Sequence, residues 1–247
     1  MKRQMILRVS VIALLAVFCL SVYSQGIIVY KKDGTKVVHS YTEVDSIVTF
    51  NKNIPEGAVD LGLPSGTLWA DRNIGADSPE GYGDYFAWGE TRPKSTYSWS
   101  TYKYCKGSYN TLTKYCTDSS CGTVDNKTVL EPSDDAATAN WGSNWRMPTH
   151  TEQKELIEKC KWTWTTRNGV NGYKVTGPNG NSIFLPAAGY LGDSSVFDAG
   201  SSGYYCSSSL LESKPYYAWI LYFYSDDGSS DKGNGRFIGH SVRAVVR

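Results

Sequence analysis

Pro148-Thr149-His150-Thr151-Glu152-Gln153-Lys154-Glu155-Leu156-Ile157-Glu158-Lys159-Cys160 is the stretch that decides the fold class. Thr149 and Glu152 stand three apart, as a capping box requires, so that hydroxyl and carboxylate each satisfy an orphan amide. The spacing predicts a helix from His150 to about Cys160. Leu156, Ile157 and Cys160 would line a narrow buried stripe, with Glu155, Glu158 and Lys159 in water. A second, shorter helix is expected from Ser133 through Asp134 to Ala139, because serine caps well and acids suit the first turn.

Outward from this helix the chain reads as strands and turns. Tyr82 to Trp88 is β-like. Tyr173 to Thr176 and Ser182 to Leu185 flank Gly177-Pro178-Asn179-Gly180, a hairpin signal. Tyr217 to Tyr224 is the most apolar run and is expected to be a central strand. Arg236 to Val246 alternates, so that Ile238, Val242, Ala244 and Val246 would face a core while Arg243 and Arg247 face water. One main helix on an irregular, mostly antiparallel β scaffold is an α+β domain. The composition agrees: 18 Tyr, 8 Trp and 24 Gly mark a loop-rich, β-dominated chain.

The N-terminus has the grammar of a cleavable secretory leader: Lys2, Arg3 and Arg8, an apolar run from Val9 to Val22, then Val22-Tyr23-Ser24 before a cut at Gln25. The apolar run is shorter than the roughly 20 residues that span a bilayer. No second long apolar run follows, so the mature chain is expected to carry no transmembrane segment, and to lie in the periplasm, at the cell surface or outside the cell. Residues 25–52 read as a small hairpin unit. Gly26 to Tyr30 and Thr35 to Tyr41 flank Asp33-Gly34, and Val44 to Phe50 offers a third strand. Residues 53–57 are a linker, and 58–247 the main domain.

Charge excludes one class of partner. With 25 Lys and Arg against 24 Asp and Glu, and no basic stripe, nucleic acid is not expected to bind. Catalytic signatures are absent: there is no G-x-S-x-G elbow, no H-E-x-x-H helix and no phosphate-binding loop. Ser100-Thr101-Tyr102-Lys103 fits S-x-x-K without its companion motifs. The three histidines are His39, His150 and His240, and no feature builds a triad around any of them.

Three groups remain as site candidates. Tyr97, Trp99, Tyr102, Tyr104, Tyr109 and Tyr115 crowd a polar region, and exposed aromatic faces bind sugars and peptides. Trp69, Trp88, Trp141, Trp145 and Trp219 are assigned to the core instead. Asp134 and Asp135, with Asp125 and Glu131 nearby, are candidate calcium ligands, since hard cations gather oxygen ligands from loops. Five cysteines survive leader removal: Cys105, Cys116, Cys121, Cys160 and Cys206. An oxidising compartment favours pairing. A local bridge such as Cys105 to Cys116 is a candidate, with one thiol left over.

An ordered set of segments resembles a known family. It runs Ala58-Val-Asp-Leu-Gly-Leu-Pro-Ser-Gly-Thr-Leu-Trp69, then Gly83-Asp-Tyr-Phe-Ala-Trp-Gly-Glu90, then Asp134-Asp-Ala-Ala137 leading into Trp141-Gly-x-x-Trp-Arg-Met-Pro-Thr149. Leu185-Pro-Ala-Ala-Gly-Tyr190, Gly203-Tyr-Tyr-Cys-Ser-Ser208 and Gly239-His-Ser-Val-Arg243 complete it. This resembles the Fibrobacter succinogenes major paralogous domain, found in exported Bacteroidetes and Fibrobacter proteins. That family is similar to the sulfatase-modifying-factor branch of the C-type-lectin-like fold. The resemblance implies a lectin-like scaffold outside the cytoplasm and fixes no activity. Together with the export signal, the aromatic loops and the missing catalytic signatures, it leads to the expectation of a non-enzymatic binding or surface-interaction module for a glycan or a cell-surface protein.

Two alternatives accompany it. One is a diverged relative of the formylglycine-generating oxidases, which use copper and a late cysteine pair, whereas this chain has only Cys206 late in its sequence. The other is a structural subunit that docks through its N-terminal hairpin by strand addition.

Overall fold

The computed structural model describes residues 21–23, 26–30, 36–40, 54–225 and 228–246. The chain divides into two compact units, Met1–Asn53 and Ile54–Arg247. In the first, β1 (Ser21–Tyr23), β2 (Gly26–Tyr30) and β3 (Lys36–Ser40) form an antiparallel sheet in that order. Ile28 stands opposite Val38. The expected Asp33-Gly34 turn, the Val44 to Phe50 strand and leader residues 1–20 lie outside the described residues. β1 falls on residues assigned to the end of the leader, so a cut before Gln25 would remove that strand.

The second unit opens with β4 (Ala58–Asp60) and β5 (Leu68–Ala70). Then come α1 (Ala136–Trp141), β6 (Trp145–Arg146) and α2 (His150–Lys159). A meander follows: β7 (Lys161–Arg167), β8 (Val170–Thr176) and β9 (Ser182–Pro186). Next is a small hairpin, β10 (Tyr190–Gly192) and β11 (Ser195–Phe197). A second meander, β12 (Ser202–Leu210), β13 (Tyr217–Tyr224) and β14 (Gly228–Gly235), leads to β15 (Val245–Val246). All these pairings are antiparallel, and the two α-helices are short: an α+β domain. Among the described residues, no helix is long and apolar enough to cross a membrane.

The last strand closes the unit on its beginning. The sheet order is β4-β5-β15-β6, with Val245 between Trp69 and Arg146. Successive side chains of β12 and β13 point to opposite faces, so the pair supplies two cores. Tyr204, Cys206, Ala218 and Ile220 enter one core with Phe86, Trp88 and Tyr115. Tyr205, Leu221 and Phe223 enter the other, with Trp69, Leu156 and Val175. Gly203 in β12 makes room for Phe223: a Cβ there would lie 2.1 Å from the ring.

Both helices carry side-chain caps. The Thr149 hydroxyl accepts from the Glu152 amide at 3.3 Å, and the Glu152 carboxylate accepts from the Thr149 amide at 2.8 Å. Arg146 then forks onto that same carboxylate. The shorter helix begins later than the sequence predicts. Pro132–Asp134 is a 3-10 turn, and Asp135, not Ser133, is the cap, accepting from the Thr138 amide at 2.9 Å.

The expected strand from Arg236 to Val246 is corrected. Only Val245–Val246 is a strand, and Arg243 is 1% exposed rather than solvated. Its guanidinium donates to the Asn73 side chain and to the carbonyls of Ala70 and Phe184 at 2.8–3.2 Å. A planar fork of five donors makes arginine the cation that loop carbonyls can hold inside a core.

Candidate functional site

The six aromatic candidates separate. Tyr97, Tyr102, Tyr104 and Tyr115 are buried, at 1%, 3%, 7% and 0% exposure. They do not form the exposed platform expected of them. A domain with little helix fills its core with large rings, and these pack edge to face: Tyr102 on Tyr104 at 6.0 Å, Tyr104 on Tyr115 at 5.6 Å. Their hydroxyls find internal partners, as Tyr102 does by donating to the Trp88 carbonyl at 2.8 Å. Trp99 is half-buried against Phe237. Tyr109 alone is well exposed, at 51%, with Tyr216 beside it.

The calcium candidates are committed elsewhere. Asp134 is 4% exposed, and its Oδ2 accepts from the Lys114 ammonium at 2.5 Å and the Tyr115 hydroxyl at 2.7 Å. Asp135 spends one oxygen on the Thr138 amide and the other on the Met147 amide at 2.8 Å. Among the described residues, no group of three or more His, Cys, Asp or Glu gathers as a metal-ion site.

Burial opposes the Asp134 charge, but Lys114 and the Tyr104 and Tyr115 hydroxyls outweigh it and hold the carboxyl at about 2. A pKa depressed in the folded state stabilises above the unfolded value near 4, and that stability is lost as pH falls toward 2. Asp134→Asn is therefore expected to cost about 2 kcal/mol at pH 7 and to flatten the acid limb of the stability curve. Urea denaturation at pH 7 and pH 3 checks this; an unchanged acid limb would refute the assignment.

The proposed Cys105–Cys116 bridge is not present, and all five described cysteines are free thiols. The Cys105 Sγ donates to the Trp99 carbonyl and the Cys116 Sγ to the Asp118 carbonyl, each at 3.0 Å. Cys206 lies 3.6 Å from His240 Nδ1. Burial pushes the thiol up to about 12; burial, aided by Lys232, pushes the imidazole down to about 3. At neutral pH both are uncharged, so the pair is a packed thiol beside a neutral imidazole and supplies no thiolate nucleophile.

An aromatic shelf lies where the first core reaches the surface. The β10–β11 hairpin sets Tyr190 opposite Phe197, with rings 5.3 Å apart and 22° from parallel. Tyr190 meets Tyr204 of β12 at 4.9 Å, and Tyr204 meets Tyr222 of β13 at 4.9 Å. Lys232 of β14 completes the row. Its ammonium sits 3.4 Å from the Tyr222 ring centre and 5.0 Å from that of Tyr204. Phe197 is 44% exposed and Val196 47%, Tyr190, Tyr222 and Lys232 are half-buried, and Tyr204 is a buried support for the row at 7%.

Main-chain bonds hold the hairpin. Leu191 and Gly239 exchange two hydrogen bonds at 2.8 and 2.9 Å, and Asp193 and Tyr97 exchange two at 3.0 and 2.7 Å. The shelf is therefore preorganised, which lowers the ordering cost of binding. A second feature is a cleft of about 180 Å³ lined by Glu56, Gly57, Asp71, Arg72, Trp141 and Trp145. There the Arg72 guanidinium lies over Trp141 at 5.6 Å and pairs with Asp71 at 3.0 Å, so the charges and the ring face already engage each other.

Comparison of the chain with protein-family models, curated proteins and solved structures gives no significant match.

Proposed function

We propose that this chain is an exported, non-enzymatic binding module, C-type-lectin-like in its scaffold, which holds a glycan or a cell-surface protein on the Phe197–Tyr190–Tyr204–Tyr222 shelf. The observation that carries the reading is an aromatic row, exposed at Phe197 and half-buried at Tyr190 and Tyr222, that ends on a half-buried cation. Flat rings with a polar end give large contact area at little cost in conformational entropy. The closure of the main domain, with β15 between β5 and β6, suits a scaffold that displays loops from one closed body. The ordered motifs from Ala58 to Arg243 support placement in the Fibrobacter paralogous family, and the neutral Cys206–His240 pair speaks against the oxidase alternative.

The test is a glycan and cell-surface protein array probed with the mature chain, with calcium and again with EDTA. Binding is expected to survive EDTA, because Asp134 and Asp135 are engaged by Lys114 and by backbone amides. Binding that vanishes with EDTA would overturn the shelf as the site.

A further inference from the structure

We infer that the shelf takes an acidic carbohydrate, with a carboxylate or sulfate on the Lys232 ammonium and a neighbouring sugar ring on Phe197. The inference rests on the binding reading above and names the ligand class for that site. Lys232 of β14 stands opposite Ile220 of β13, and its side chain lies across Tyr222 and Tyr204. The other buried or half-buried lysines have carboxylate partners: Lys94 has Glu90, and Lys114 has Glu131 and Asp134. Lys232 makes no ion pair with any described residue, and two ring faces are its main compensation.

Asp198, an acid that acts on it, is engaged in accepting the Tyr204 hydroxyl at 3.0 Å. Burial, only partly offset by Asp198, holds the Lys232 pKa below its ordinary value, so among the described residues the cation is short of a counter-charge. A bound anion supplies one through charge-assisted hydrogen bonds.

The surroundings suit a sugar. Phe197 offers an exposed ring backed by Tyr190 in near-parallel stacking, and the exposed hydroxyls of Ser195, two residues before Phe197 on β11, and of Ser230, opposite Tyr222, border the row. Apolar faces bordered by hydroxyl donors and acceptors match a pyranose, whose ring carbons present C–H groups and whose rim presents hydroxyls.

The experiment is calorimetric titration of the mature chain with four probes: oligogalacturonate, a sulfated heparin-type oligosaccharide, a neutral cello-oligosaccharide and polyglutamate. Wild type, Lys232→Gln and Lys232→Arg are compared, with thermal melts to show that each is folded. An acidic sugar is expected to bind about tenfold tighter than the neutral one, and Lys232→Gln to remove that advantage while Lys232→Arg keeps it. Whether oligogalacturonate or the sulfated probe gains more tells which anion the site prefers. Neutral and acidic sugars bound equally, with Lys232→Gln unchanged, would overturn the inference and leave the shelf as a glycan site. Polyglutamate bound as tightly as the acidic sugars would overturn the carbohydrate assignment. No binding by any sugar, together with a protein ligand on the array, would overturn the inference and leave the binding-module reading intact.

Discussion

Arg236→Ala is expected to cost at least about 3–5 kcal/mol, enough to prevent folding in a domain of ordinary stability. Arg236 is 1% exposed and ties together segments far apart in sequence. Its Nε donates to the Tyr102 hydroxyl at 2.9 Å, one terminal nitrogen to the carbonyls of Tyr115 and Pro215 at 2.9 Å, and the other to the Lys114 carbonyl at 3.0 Å. The guanidinium also lies 4.8 Å from the centre of the Trp88 ring. Removing the fork leaves three backbone carbonyls short of a donor in a dry core, and each costs about 1–3 kcal/mol when nothing replaces the bond. Arg236→Lys is expected to recover little, since one ammonium cannot reach the same acceptors in a plane. Urea denaturation checks both variants. An Arg236→Ala protein within about 1 kcal/mol of wild type would show that the loop carbonyls find other partners.

Gly189→Ala is the second large effect, and it reaches the shelf. Gly189 has φ +66, and a Cβ there would lie 1.9 Å from the Phe197 carbonyl oxygen and 2.7 Å from the Ala199 amide. Both obstacles are backbone, so no rotamer change relieves the contact. The left-handed conformation adds about 1 kcal/mol for a residue with a Cβ. Relief requires the backbone from Phe197 to Ala199 to move away from Gly189 and the start of β10, which breaks the Tyr190–Phe197 stack. The expected result is a loss of about 2–4 kcal/mol in stability together with a loss of ligand binding, which thermal melts and a binding titration measure separately. A variant as stable as wild type would show that the hairpin yields without cost.

Some of this was legible in sequence and some was not, for physical reasons. The capping box at Thr149 and Glu152 was readable because its two bonds span three residues, and α2 starts at His150 as the spacing predicts. Tyr217–Tyr224 was readable as a central strand because an unbroken apolar run needs cover on two sides, and β13 has β12 and β14 beside it. The Gly177-Pro178-Asn179-Gly180 turn was readable from its own residues, and β8 and β9 pair across it.

Burial of the tyrosines was not readable. Tyr102 is internal because Trp88 and Arg236 enclose it, and Arg236 is 134 residues away. The alternation from Arg236 to Val246 misled because it assumed a strand, whereas Arg243 points inward to carbonyls that only the folded chain brings to it. The shelf was hidden for a related reason: its rings and its cation come from β10, β11, β12, β13 and β14. One local signal existed. Gly192-Asp193-Ser194 separates two short apolar runs, and that turn places Tyr190 opposite Phe197.

The central claim is that ligand sits on the Phe197 shelf and not in the Trp141 cleft, and the most direct measurement compares two truncations. Affinity for the best array ligand is measured for Phe197→Ala and for Trp141→Ala, each shown by thermal melt to be folded. Phe197→Ala is expected to weaken binding about tenfold or more, the effect of removing a central aromatic anchor, while Trp141→Ala leaves it unchanged. Full affinity in Phe197→Ala with loss in Trp141→Ala would contradict the account and move the site to the cleft.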